Sequence, residues 1–173
     1  EIIMSIVGIE TSYGDNMGHY PLVESLATLA FDYPRRAAFF KKELEQLLLL
    51  GQEGALDLNT ATGSYAGAIG MPQFMPSNYR QYAIDFSGKG QRDLIHNTED
   101  VLGSVAHYLK KHGWKSNQKI VSKGKPFNSK KAKLITLQQS DDQKIYYTGF
   151  ENFKVIMRYN NSVHYAMAVY ELS

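Results

Sequence analysis

One glutamate in this sequence has the setting of a general acid. Glu10 follows a largely apolar segment, residues 2–9, and precedes Thr11–Gly14. The apolar positions predict a helix that ends near Gly14, because glycine is favoured just past a helix end. A carboxyl there faces the negative end of the helix dipole and is desolvated by its neighbours, so we expect a raised pKa for Glu10. Such a group can protonate a glycosidic oxygen near neutral pH; the alternative is an ordinary exposed glutamate.

A glycine-rich segment, residues 63–76, is the second candidate. Gly63, Gly67 and Gly70 permit close backbone approach and left-handed conformations, so this segment can line a groove. Gln73 offers an amide donor and acceptor among Met, Pro and Phe residues. The alternative is a structural turn with a satisfied glutamine. A phosphate-binding loop is disfavoured because no Gly-Lys-Ser/Thr closes the segment.

The third candidate lies near the C-terminus, within a helix that we predict over residues 152–171. On one helix, Tyr159 and Asn160 would lie near His164 and Tyr165, because residues four to five apart share a face. That stripe could present rings and an amide to a sugar. The alternative is an aromatic helix face that packs into the core.

Together these segments resemble one family. Gly8–Gly14, Ser64–Tyr79 and Arg158–Val169 look like the membrane-bound lytic transglycosylase B family, which is glycoside hydrolase family 103. Two further stretches, Leu26–Arg36 and Gly103–Tyr108, match in the same order, and His112-Gly113-Trp114 continues the second. The resemblance covers nearly the whole chain and is weakest over residues 117–150.

The resemblance implies a lysozyme-like catalytic domain acting on the bond between N-acetylmuramic acid and N-acetylglucosamine in peptidoglycan. It places Glu10 at the catalytic acid. The residues it places along the glycan groove are Ser64, Gln73, Tyr108, Tyr159, Asn160 and Tyr165. The family usually has further helical sequence upstream of this Glu, so we expect residues 1–173 to be the catalytic domain with that segment missing.

The number of carboxylates decides the type of reaction. Ordinary glycosidases use two, about 5–5.5 Å apart if retaining and about 6.5–9.5 Å apart if inverting. Lytic transglycosylases, as the family implies, use one, which protonates the leaving oxygen and then helps the C6 hydroxyl of muramic acid close a 1,6-anhydro ring. Asp15, Glu24 and Asp32 lie nearby in sequence, although Asp15 and Asp32 are better suited to capping or anchoring helices. A hydrolytic muramidase is therefore the alternative enzyme, and a non-catalytic peptidoglycan-binding domain is the alternative from another class.

A possible metal loop begins at Asp85. An EF-hand calcium loop needs oxygen ligands at its first, third and fifth positions and glycine at the sixth. Asp85, Ser87 and Gly90 fit the first, third and sixth positions, but Lys89 stands at the fifth and its ammonium repels a cation. The residues that could close the loop are Asp93, Glu99 or Asp100. We expect Lys89 to pair with Asp85 and with Asp100, which makes residues 85–100 a degenerate EF-hand-like loop. Accordingly, no metal and no cofactor are expected, and the alternative is calcium at a degenerate site of Asp85, Ser87 and Asp100.

The elements that must position these residues are mostly helical. The first two helices are predicted over residues 1–13 and 22–31. A third begins at Pro34 and a fourth at Pro76, and the third has an apolar side made of Phe39, Phe40, Leu44, Leu47 and Leu48. A fifth is predicted over residues 98–112, with Thr98 as its N-cap. Residues 119–150 are Lys-rich with short β-prone pieces, which predicts a small β-rich insertion. The fold class is therefore mainly α, an α+β lysozyme-like helical domain with a small β element.

Composition excludes several classes of function. Nineteen basic and 17 acidic residues give a net charge of +2, which is too balanced to indicate nucleic acid. Without cysteine there is neither a disulfide framework nor a thiol nucleophile. The longest apolar run, Leu47–Leu50, is far shorter than the roughly 20 residues of a membrane-spanning helix. By resemblance we expect a monomer in the periplasm, soluble or anchored to the outer membrane by lipid, with peptidoglycan strands and cell-wall synthesis or division proteins as partners.

Overall fold

The computed structural model describes residues 1–125, 132–140 and 143–173. Its helices are α1 Ile2–Thr11, α2 Leu22–Phe31, α3 Ala37–Gln52, α4 Pro76–Tyr82, α5 Thr98–Lys111, α6 Glu151–Tyr159 and α7 Val163–Glu171. Its strands are β1 Tyr20–Pro21, β2 Thr62–Gly63, β3 Val121–Lys123, β4 Lys133–Ser140 and β5 Gln143–Gly149. The chain divides into two compact units, one of Ile6–His107 and one of Glu1–Ser5 with Tyr108–Ser173.

Helices α2, α3 and α4 build the core of the Ile6–His107 unit. Helix α2 buries Leu22, Leu26 and Ala30, which lie four residues apart and therefore form one stripe. Leu47 and Leu50 of α3 are fully buried in the same unit. Each such leucine contributes about 1.5–3 kcal/mol relative to an exposed one, so apolar packing fixes this helical scaffold.

The buried face of α3 differs from the predicted one. Phe40 and Leu47 are buried, but Phe39 is 38% and Leu48 is 50% exposed. Glu43 takes part in the inner face instead, because its carboxylate accepts hydrogen bonds from the N–H of Ser77 at 2.9 Å and its hydroxyl at 2.8 Å. These charge-assisted bonds offset the cost of burying an anion and tie α3 to the first turn of α4.

A short antiparallel ribbon holds the glycine-rich segment in place. Strand β1 pairs with β2, with Tyr20 opposite Gly63 and Pro21 opposite Thr62. This pairing fixes the start of residues 63–76 within the helical unit, beside the segment that follows α1.

The Tyr108–Ser173 unit contains the larger sheet. Its strands have the order β3-β5-β4 and are antiparallel. Ile135 of β4 and Phe153 and Ile156 of α6 are buried in this unit. Asn152, 1% exposed, donates to the carbonyls of Lys115 and Gln118 and accepts the N–H of Lys115, which fastens the start of α6.

The fold-class prediction is confirmed: the molecule is mainly helical with a small sheet. Three predicted details are wrong. Helix α3 begins at Ala37, because Pro34–Arg36 forms a separate 3-10 turn. The N-cap of α5 is Asn97 rather than Thr98, since the Asn97 Oδ1 accepts the N–H of Glu99 at 3.1 Å. The last helix is two helices, as described below.

No helix among the described residues combines the length and the apolar character that crossing a bilayer requires.

Candidate active site

Glu10 lies in the last turn of α1, where it is half-buried. After Thr11 the chain leaves the helix through two residues with left-handed backbone, Ser12 at φ 50° and Tyr13 at φ 61°. The Ser12 N–H still donates to the Gly8 carbonyl at 2.9 Å. The predicted placement of a carboxyl at the C-terminal end of a helix is therefore what the structure has.

Thr11 connects the end of α1 to the glycine-rich segment. Its side chain is 1% exposed, and its hydroxyl donates to the Met71 carbonyl at 2.9 Å. The same oxygen accepts the N–H of Gly14 at 3.1 Å. One buried hydroxyl thus fixes both the turn after Glu10 and the loop beside it, a role that the sequence did not reveal.

Gln73 and Ser64 hold the same loop from within. Gln73 has a left-handed backbone, φ 51°, and its side-chain amide donates to the carbonyls of Met17 at 3.2 Å and Gly70 at 3.0 Å. The Ser64 Oγ accepts the N–H of Ala68 at 3.0 Å. Both are half-buried. The Gln73 amide NH2 and the Ser64 oxygen therefore stabilise the loop, which is the structural alternative considered above for the glutamine. The Gln73 side-chain carbonyl oxygen and the Ser64 hydroxyl hydrogen are groups that can face a ligand.

Gly70 shows why this segment needs glycine. Its φ is +68°, and a Cβ built there would lie 2.3 Å from the Leu94 carbonyl oxygen. Both the conformation and the approach of the backbone exclude a side chain. The glycine prediction for this loop is thus explained by packing against residue 94 as well as by conformation.

An exposed ring packs against the helix that carries Glu10. Tyr13 is 58% exposed, and a Cβ at Gly8 would lie 2.8 Å from its Cζ and Oη atoms. Gly8 therefore leaves the space in which the Tyr13 ring crosses α1. This ring was not among the predicted site residues, although its spacing of three residues from Glu10 was a signal that it could lie near the carboxyl.

The other unit contains the remaining predicted groove residues. Tyr108 is 4% exposed, and its hydroxyl donates to the Arg158 carbonyl at 2.7 Å. Its ring lies against His112, 4.0 Å between centroids, and edge-on to Tyr159, 5.0 Å between centroids. The structure thus brings Tyr108 and Tyr159 together, with Tyr108 enclosed and positioned to support its neighbour.

Tyr159, Asn160 and Tyr165 do not share one helix, so the predicted continuous helix over 152–171 is wrong. Helix α6 ends at Tyr159, and Asn160 has extended backbone, φ −140° and ψ 121°. The Ser162 Oγ caps α7 by accepting the N–H of Tyr165 at 3.3 Å. Asn160 is exposed and the two tyrosines are half-buried. Their roles toward a glycan stay predictions.

The loop over residues 85–100 is closed by hydrogen bonds to backbone. The Asp85 carboxylate accepts the N–H of Lys89 at 3.0 Å and of Gly90 at 2.7 Å, together with the Ser87 hydroxyl at 3.3 Å. In the described part of the chain no ion pair joins Lys89 to either carboxylate, so the predicted pairing with Asp85 and Asp100 is wrong. The lysine contributes its backbone rather than its charge.

Asp100 closes the other side of this loop. It is fully buried and accepts the N–H groups of Ser87 at 2.8 Å and Asp93 at 3.0 Å. Burial acts to raise the pKa of this carboxyl, but the hydrogen bonds from the backbone outweigh it, and the pKa is lowered from its ordinary value. The carboxylate oxygens of Asp85 and Asp100 thus bond to backbone N–H groups, and Lys89 stands where an EF-hand loop has its third oxygen ligand. Within the described ranges, no three acidic, His or Cys side chains converge as a metal site would need.

Comparison with known proteins identifies the class. A family model described as "Transglycosylase SLT domain" matches residues 1–126 and 119–173. The chain therefore belongs to this transglycosylase family, as its resemblance predicted, and it has the lysozyme-like fold of that family.

Individual relatives agree along the whole chain. It is 40% identical, over 201 aligned residues, to the membrane-bound lytic murein transglycosylase B of Escherichia coli K12, with 99% of this chain and 55% of the relative covered. The crystal structure of soluble lytic transglycosylase SltB1 from Pseudomonas aeruginosa superposes with a TM-score of 0.90 at 40% identity, covering 99% of this chain and 67% of that one. SltB3 from the same organism, crystallised with NAG-NAM-pentapeptide, has a TM-score of 0.85 at 31% identity, covering 97% and 54%. The chain thus spans about half the length of the curated relative that it matches.

Proposed function

We propose that this domain is a lytic transglycosylase that cleaves the β-1,4 bond between N-acetylmuramic acid and N-acetylglucosamine in peptidoglycan, with Glu10 as its single catalytic acid and base. The observation that carries the proposal is the setting of Glu10 in a chain of this family: a half-buried carboxyl at the end of α1, fixed to the Ser64–Gln73 loop through Thr11. A relative of the family has been crystallised with a peptidoglycan fragment, which supports the class of substrate.

The proposed reaction has two proton transfers. The protonated Glu10 gives its proton to the glycosidic oxygen, and the bond from that oxygen to C1 of muramic acid breaks. The carboxylate then accepts the proton of the C6 hydroxyl of the same sugar, while the hydroxyl oxygen forms a bond to C1. The product is a 1,6-anhydro ring, no water is consumed, and Glu10 is protonated again. The negative end of the α1 dipole favours the protonated acid before cleavage.

The hydrolytic alternative needs a second carboxylate near Glu10. The candidates named from the sequence, Asp15, Glu24 and Asp32, are all exposed. Asp32 follows α2 as its C-cap, where its N–H donates to the Thr28 carbonyl at 2.7 Å. Exposed side chains are not held in a fixed geometry by packing, which a second catalytic carboxylate would require, and this supports the mechanism with one carboxylate.

Mass spectrometry of the products from purified peptidoglycan tests this function. Muropeptides that end in 1,6-anhydromuramic acid, one water lighter than hydrolysis products, are expected. Fully hydrated reducing ends would establish a muramidase instead. A Glu10→Gln variant should lose turnover while it still binds glycan; unchanged turnover would exclude Glu10 as the acid, and an inactive wild type that binds glycan would indicate a binding domain.

We further propose that the loop over residues 85–100 keeps its shape without calcium. Support comes from the engaged oxygens of Asp85 and Asp100 and from the Lys89 position. The melting temperature should be the same in calcium as in a chelator, and a clear rise with calcium would refute the proposal.

The cellular setting is also a proposal. We propose that the protein acts in the periplasm, soluble or attached to the outer membrane, because its substrate is the cell wall and its relative is named membrane-bound. Association with cell-wall synthesis or division proteins and a monomeric state stay predictions.

A further inference from the structure

A basic pocket lies in the Tyr108–Ser173 unit, between strand β4 and helix α6. It has a volume of about 630 Å³ and is lined by Ala132, Lys133, Lys154, Met157, Arg158 and Asn161. We call it the α6 pocket. Its size lies within the range of sites that hold small molecules or parts of larger ligands, about 300–1,000 Å³.

The charges of the α6 pocket are incompletely balanced. Lys154 pairs with Glu151 at 2.6 Å, where both side chains are largely exposed. The Lys133 Nζ lies 3.3 Å from the Met157 Sδ, a weak acceptor for an ammonium group. Among the described residues, neither Lys133 nor Arg158 forms an ion pair. Among the described residues, three cations therefore line the pocket with one carboxylate beside them.

Helix stability accounts for only part of this arrangement. Arg158 lies in the last turn of α6, where a cation is favoured by the helix dipole. The pair of Glu151 and Lys154 is an ordinary (i, i+3) pair on the surface of a helix. Neither reason applies to Lys133, which reaches the pocket from β4 and is only half exposed. Bringing a third cation here has an electrostatic cost that an incoming anion would relieve.

We propose that the α6 pocket binds carboxylate groups of the peptide stem of peptidoglycan, which rests on the proposed function. The sugars of the strand are largely neutral, so the anionic groups of this polymer are concentrated in its peptides. Arg158 directly precedes Tyr159 and Asn160, which the family resemblance places at the glycan. An arginine fork binds a carboxylate through two parallel hydrogen bonds, Lys133 adds a point charge, and the Asn161 amide can bind peptide groups. SltB3, a relative, has been crystallised with a sugar ligand that carries a pentapeptide.

Binding measurements on a Glu10→Gln background test the proposal without turnover. Isothermal titration would compare NAG-NAM-pentapeptide with the NAG-NAM disaccharide that lacks the peptide. The pocket variant carries Lys133→Gln and Arg158→Gln. Its matched control carries Lys110→Gln and Lys111→Gln, which remove two exposed lysines from the end of α5 in the same unit.

The pocket variant should bind the pentapeptide ligand about tenfold more weakly, since each exposed or half-exposed ion pair contributes about threefold to fivefold in affinity. The pocket variant should keep its affinity for the disaccharide and its melting temperature. The control variant should keep its affinity for both ligands. Added salt should weaken the pentapeptide complex and leave the disaccharide complex unchanged.

Three results would overturn the proposal: an unchanged affinity of the pocket variant for the pentapeptide ligand, an equal loss in the control, or an equal loss for both ligands. These outcomes are independent of the proposed function, which is tested by the release of anhydro products from peptidoglycan and by the turnover of the Glu10→Gln variant. A protein without turnover could still show the affinity difference, and an active enzyme could lack it.

Discussion

The hydroxyl of Thr11 offers the sharpest test of how the fold positions Glu10. A Thr11→Val substitution keeps the shape and the β-branched character of the side chain and removes one oxygen. The part-buried Met71 carbonyl then loses the donor that lies 2.9 Å away, and the Gly14 N–H loses an acceptor at 3.1 Å. Valine and threonine have similar helix propensities, so the change in backbone preference contributes little.

The magnitude follows from these contacts. Leaving a buried acceptor without its donor costs about 1–3 kcal/mol. For a domain of this size each kcal/mol lowers the melting temperature by about 2–4 °C, which gives a decrease of about 2–12 °C. Because the lost bond joins the Glu10 turn to the loop that carries Ser64 and Gln73, kcat should fall by about tenfold to a hundredfold through misplacement of the acid.

Urea denaturation, thermal unfolding and product release from peptidoglycan measure these effects. Thr28→Val is the matched control, since Thr28 is exposed on α2. It should change the free energy of unfolding by less than about 0.5 kcal/mol and leave kcat unchanged. If Thr11→Val behaved like this control in both stability and kcat, the reasoning that Thr11 fixes the site would be refuted.

Three further substitutions test the scaffold. Gly70→Ala should lower the free energy of unfolding by at least about 1–2 kcal/mol more than Gly88→Ala does in urea denaturation. Both residues have positive φ, but only at residue 70 would the new Cβ lie 2.3 Å from a carbonyl oxygen, so equal losses would contradict the steric argument. Glu43→Gln should cost about 1–3 kcal/mol, because the bonds from Ser77 at 2.8 and 2.9 Å lose their charged acceptor, and a change below 0.5 kcal/mol on the same assay (roughly the limit for a surface site) would exclude that role. Asp100 has a lowered pKa, so its contribution to the free energy of unfolding is present above its ordinary pKa of 3.8 and is lost as the pH falls through the lower folded-state pKa. Asp100→Asn should therefore lose stability less steeply than wild type as acid is added below about pH 4, and parallel curves would contradict this assignment.

Local signals in the sequence predicted much of the helical scaffold. Helix α2 has the predicted bounds, 22–31, because its apolar spacing and the flanking prolines act over short distances. The end of α1 before Gly14 and the start of α4 at Pro76 were predictable for the same reason. The position of Glu10 at a helix end therefore required no knowledge of tertiary structure.

The failed predictions depended on contacts that are distant in sequence or on competing short-range bonds. Glu43 lies on the inner face of α3 because Ser77, 34 residues away, supplies two donors. The helix break after Tyr159 reflects Ser162, which caps a new helix and competes with continuation of the old one. Lys89 and Asp85 have opposite charges that suggested a salt bridge, whereas backbone N–H groups lie nearer and satisfy the carboxylate at little entropic cost.

The closure of the loop over residues 85–100 through its main chain has a consequence for variation. Asp85 and Asp100 recognise the N–H groups of residues 87, 89, 90 and 93, which almost any amino acid supplies. Between these anchors, the side chains of Ser87, Asp93 and Asn97 add hydrogen bonds of their own. Gly88, where a Cβ would meet nothing within 4 Å, marks an open place on its surface. Substitution of the Lys89 side chain should accordingly leave the loop closed, because residue 89 contributes its N–H to Asp85.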